Sequence, residues 1–99
     1  MRVQFVRALE FLLQSAPPEK EERVRELVER LRERARAGDR IDMGEVVAEL
    51  LDPEGIGLEQ GLVEEFLRLI LGGRPDADRL IAGTLEYAKR KVWRRRGRE

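Results

Sequence analysis

The sequence predicts an all-α fold, a compact array of about five helices joined by short loops. Apolar residues recur at helical spacing in five segments, prolines and glycines punctuate the joints, and no apolar/polar alternation of strand period develops. With 99 residues, 41% hydrophobic and 40% charged, the chain can bury one modest core but not two. A single helical domain over residues 1–99 is therefore expected, with a basic helix end at 89–99.

Val3, Val6, Leu9, Leu12 and Leu13 define the first helix, and Phe5 and Phe11 widen its stripe enough to meet more than one neighbour. Ser15-Ala16-Pro17-Pro18 ends it, because proline has no amide proton to continue the ladder. The second helix opens on Pro18-Glu19-Lys20-Glu21-Glu22, whose acids suit the positive end of the macrodipole. Val24, Leu27, Val28, Leu31 and Ala35 form its inner stripe. On its outer face Glu21/Arg25 and Glu26/Arg30 are supporting pairs, while Glu22/Glu26 and Glu29/Glu33 repel. Ala37-Gly38-Asp39 supplies a glycine stop.

Asp42-Met43-Gly44-Glu45 fits a capping box in which Asp42 accepts from the helix start and Glu45 reaches back. The short third helix presents Val46, Val47, Leu50 and Leu51, and Asp52-Pro53-Glu54-Gly55-Ile56-Gly57 turns the chain. Leu58 to Leu71 is the most apolar helix, carrying Leu62, Val63, Phe66, Leu67, Leu69, Ile70 and Leu71, and is expected to be the most buried. Gly72 to Asp78 breaks it and starts a fifth, with Pro75 near the first helical position and Asp76 and Asp78 in the first turn. Leu80, Ile81, Leu85, Ala88 and Val92 face inward there. Gly83 costs this helix about 1 kcal/mol in propensity, which either a close helix contact or simple tolerance accounts for. The third helix is too short for a long up-and-down bundle, which favours an irregular array.

The chain contains neither cysteine nor histidine. That removes disulfides, thiolate nucleophiles, sulfur zinc sites and the usual general base near neutral pH. Glu45 and Glu49 lie one turn apart, but nothing in the pattern buries them; Thr84 and Tyr87, three residues apart, either line a small pocket or stand at the core edge with satisfied hydroxyls, and the second is expected. Asp52 to Glu59 resembles a calcium loop only at its start, since Ile56 and Val63 stand where oxygen ligands are needed. A helix-turn-helix drawn over Gly44–Leu51 and Leu58–Leu71 would present Glu59, Gln60, Glu64 and Glu65 to the DNA backbone, and these repel it. A non-enzymatic protein is expected, with no catalytic residue, metal ligand or cofactor site assigned.

Charge is the one concentrated signal. Twenty cations balance twenty anions, yet residues 89–99 hold seven cations, one anion and the chain's only tryptophan. Ile41 to Gly73 holds eight carboxylates against one cation, Arg68. Lys89, Arg90, Lys91, Trp93, Arg94, Arg95, Arg96 and Arg98 are the candidate contacts to nucleic acid or another anion, the cations on phosphates and the indole on an unpaired base. Against this stands a solvated helix end whose cations complement the dipole and whose tryptophan packs on a neighbour. The acidic stretch is an available counter-surface within the chain or on a second copy. Trp93 decides between these: packed, it is structural; projecting among the arginines, it is a binding element.

No membrane partner is expected, because the fifth helix lacks an extended exposed apolar face and no apolar run approaches the roughly 20 residues that span a bilayer. Met1 to Arg7 is broken by charge before a signal-peptide apolar region develops. A soluble chain is expected, cytoplasmic if natural.

Pro18-Glu19-Lys20-Glu21-Glu22-Arg23-Val24-Arg25-Glu26-Leu27-Val28-Glu29-Arg30 resembles computationally designed helical proteins in its saturated Arg/Glu surface and regular aliphatic stripe. The resemblance covers mainly residues 17 to 52 and implies a thermostable scaffold; no natural family is recognised in the residues. The leading expectation is a small scaffold or interaction domain that uses helix faces to bind a protein partner or a small apolar ligand. The apolar excess on the fourth helix leaves a homodimer open. The alternative is a nucleic-acid-associated subunit gripping phosphates through the basic run. A catalyst would need a carboxylate held in an apolar cavity.

Overall fold

The computed structural model describes residues 3–97, with side chains from Val3 to Arg95. It contains α1 (Val3–Ser15), a 3-10 turn (Pro18–Lys20), α2 (Glu21–Arg36), α3 (Met43–Leu51), α4 (Gln60–Leu71) and α5 (Ala77–Gly97). There is no strand among the described residues.

Helix ends follow local chemistry. Pro17 and Pro18 stop α1 after the Ala16 amide has donated to Leu12 at 3.1 Å. α2 finishes in a Schellman motif: Gly38 takes φ +77°, its amide donates to the Ala35 carbonyl, and that of Asp39 donates to Arg34. Asp42 caps α3 by accepting from the amides of Gly44 and Glu45. The capping box is only half formed, because the Glu45 carboxylate is drawn away to cations on α5. α4 begins at Gln60 rather than Leu58, since the Leu58 amide donates back to the Leu50 carbonyl.

α1 packs on α2 and α4, α3 packs on α5, and α4 also touches α3 and α5. α4 thus joins an α1–α2 pair to an α3–α5 pair, an irregular array with a radius of gyration of 13.1 Å. The shared core is aliphatic: Leu9, Leu12, Val24, Val28, Val47, Leu50, Val63 and Leu67 surround Phe66, the one aromatic ring buried at the centre. Each such side chain stabilises by about 1.5–3 kcal/mol when buried. α4 is less enclosed than its composition implies. Leu69 is 37% exposed and Leu62, Ile70 and Leu71 are half-buried, whereas α3 buries Val46, Val47, Ala48 and Leu50 within nine residues.

α2 and α3 stand farther apart, with no Cα pair within 8 Å. Arg30 of α2 reaches Glu49 of α3 at 2.6 Å in place of the intrahelical partner Glu26. A groove of about 620 Å³ lies beneath, floored by Leu27, Leu31 and Val46. The loop after α3 folds back on that helix: the amides of Ile56 and Leu58 donate to Glu49 and Leu50 carbonyls, and Ile56 and Leu58 are buried. Lys20 and Arg23 donate to the loop carbonyls of Gly57 and Gly55. Two basic side chains at the start of α2 therefore hold a loop that leads into α4.

Candidate functional site

An α-helix turns about 100° per residue, which splits the basic run of α5 by face. Ala88 and Val92 point toward the core, and Lys91 and Arg95 occupy the flank that meets α3. Lys89 and Trp93 take the opposite flank, with Arg90 and Arg94 outermost between them.

On the α3 side the cations are engaged. Glu45, Glu49 and Asp52 follow one another at helical spacing, so one face of α3 and its cap presents three carboxylates. Glu45 pairs with Lys91 and stands 3.6 Å from Arg95. Asp52 stands 3.7 Å from Arg95, and Glu49 turns to Arg30. Asp52 is 7% exposed, and its other oxygen accepts from the Glu54 amide at 3.0 Å. It is a buried carboxylate set in polar contacts rather than in an apolar cavity. Lys91 also lies 5.6 Å from the centre of the Tyr87 ring, within cation–π range.

Tyr87 itself packs where two helices nearly collide. A Cβ on Gly44 would fall 2.5 Å from its Cε1, so glycine at 44 lets the exposed Tyr87 ring lie against α3 where it does. No such crowding surrounds Gly83, where nothing stands within 4 Å; the helix simply tolerates that glycine. Thr84 does not join Tyr87 in a site, because its hydroxyl donates to the Leu80 carbonyl in its own helix.

On the outer side the cations are free. Lys89, Arg90 and Arg94 are exposed and have no ion-pair partner among the described residues. Trp93 is 75% exposed, the most exposed large apolar side chain of those described. With Leu51, Val92 and Lys89 it lines a depression of about 300 Å³. Arg90, Lys91 and Arg94 line a second beside Tyr87. Glu86, exposed one turn earlier, is the anion bordering this face. Arg96 and Arg98 lie outside the described side chains.

The eight residues assigned from sequence therefore fall into classes. Lys91 and Arg95 brace α5 on α3, while Lys89, Arg90, Trp93 and Arg94 form an open cationic face. The acidic stretch is a counter-surface within the chain, but only for one flank. The sequence assigns Glu45 to a capping box and Asp52 to a turn; their spacing with Glu49 is the signal for a shared acidic face. Among the described residues, no three of His, Cys, Asp and Glu group as metal ligands would, and no helix is long and apolar enough to cross a membrane. No protein-family model, curated protein or solved structure matches the chain.

Proposed function

We propose that this protein is a non-enzymatic interaction module whose binding face is the distal end of α5. One observation carries this: Trp93 stands 75% exposed in a chain that buries most of its large apolar side chains. Leaving an indole in water forgoes about 2 kcal/mol or more of burial, and a partner that covers it recovers that energy. In keeping with this reading, the three carboxylates on α3 and its cap are paired, Glu45 and Asp52 facing α5 cations and Glu49 facing Arg30.

Site-specific photocrosslinking tests the assignment. A benzophenone side chain replaces Trp93 in one variant and Glu26, on the outer face of α2, in another. Adducts from position 93 that are absent from position 26 are expected in expressing cells. An adduct of twice the chain mass would identify the partner as a second copy. Equal yields from both positions, or none from position 93, would refute distal α5 as the binding face.

A further inference from the structure

Resting on that assignment, we infer that the face binds single-stranded nucleic acid, with an unpaired base stacked on Trp93 and flanking phosphates on Lys89, Arg90 and Arg94. The indole is the central point. A base needs only one exposed aromatic face, and stacking is indifferent to sequence. A protein or lipid surface would need a broader apolar patch, and around Trp93 only the half-buried Leu51 and Val92 supply one.

The cations fit the same ligand. Arg90 and Arg94 are one turn apart, about 6 Å along the helix axis, and Lys89 is one turn from Trp93 on the same flank. A strand laid over them meets three cations around one indole. The limits of the face also select a slim ligand. Lys91 and Arg95 are neutralised by Glu45 and Asp52, and Glu86 borders the face. A duplex offers no unpaired base and spreads its charge more widely, so it gains little here.

The partition of cations has a measurable signature. On single strands the logarithm of affinity falls against the logarithm of salt concentration with a slope of about −0.7 per phosphate neutralised. Lys89, Arg90 and Arg94 give about −2, whereas all seven basic residues of 89–98 would give about −5.

The test measures anisotropy of a fluorescein-labelled oligothymidylate at several KCl concentrations, with Trp93 emission followed in parallel. Binding in the range of about 10⁻⁴–10⁻⁶ M with quenched emission is expected. Trp93→Ala weakens it about tenfold or more, and Trp93→Phe retains most of it. Arg90→Gln and Arg94→Gln each flatten the slope by about 0.7, and Glu45→Gln, which releases Lys91, steepens it by a similar amount. Far-UV circular dichroism of each variant confirms the fold.

Unchanged emission on binding, a wild-type affinity for Trp93→Ala, a slope near −5, or equal quenching by inorganic polyphosphate or by duplex would each overturn the proposal. Adducts from position 93 without oligonucleotide binding would overturn the nucleic-acid ligand and leave the binding face standing. Loss of both would overturn the two together.

Discussion

Two glycines show how one residue type carries opposite consequences. Gly44 permits the Tyr87 ring to lie against the first turn of α3, whereas Gly83 leaves open space around its Cα. Gly44→Ala is expected to destabilise by up to about 1 kcal/mol, since the exposed Tyr87 ring must turn aside and this outweighs the propensity gained, and Gly83→Ala to stabilise by up to about 1 kcal/mol through helix propensity. Urea denaturation followed at 222 nm would show the opposed shifts. In a Tyr87→Ala background the Gly44→Ala penalty should vanish, since the clashing ring is gone, and a double-mutant cycle measures that coupling. The sequence displays a glycine within each helix, but not where a neighbour crosses it. That depends on a contact between residues far apart in the chain, which helical periodicity does not encode.

At the scale of elements, α3 links the others more than its nine residues suggest. Its apolar face enters the core, its acidic face meets α2 and α5, and its C-terminal carbonyls hold the following loop. Asp52 serves two of these roles, capping the turn with one oxygen and facing Arg95 with the other. Asp52→Asn keeps an oxygen for the Glu54 amide and should cost under about 1 kcal/mol; Asp52→Ala strands that amide and should cost about 1–2 kcal/mol. Thermal unfolding of the two variants separates hydrogen bond from charge, and equal losses would assign the role to charge alone. Removing the half-exposed Arg30 should change stability by less than about 1 kcal/mol, as for most surface pairs. All five helices were legible in the sequence because proline, glycine and capping residues act locally. The division of the basic run was legible only in part: helical spacing separates its faces, but which face meets acids depends on how α3 crosses α5.

For the molecule as a whole, the core rests on aliphatic side chains around a single buried ring. Phe66→Ala should therefore cost about 3–5 kcal/mol, a large part of the roughly 5–15 kcal/mol that holds a domain together. Phe66→Leu should cost about 1 kcal/mol. A lowered urea midpoint at constant m value for Phe66→Leu, with a lowered m value for Phe66→Ala, would show that the ring also sets cooperativity. The all-α class followed directly from periodicity. The pairing of helices did not, because several apolar stripes of similar width can be matched in more than one way.

The pairing has a kinetic corollary. Of the helices adjacent in sequence, α1 and α2 can associate early, but α1 also needs α4, and α3 finds its main support in α5, beyond α4. Closing such distant pairs costs chain entropy before contacts repay it, so folding should be slower than for an up-and-down bundle of equal length. Because α3 docks on α5, which follows α4 in the chain, α3 gains its main support only once that later helix is in place. The distal face of α5 then becomes a marker of folding, presented in its final register only by a chain whose α3 has docked.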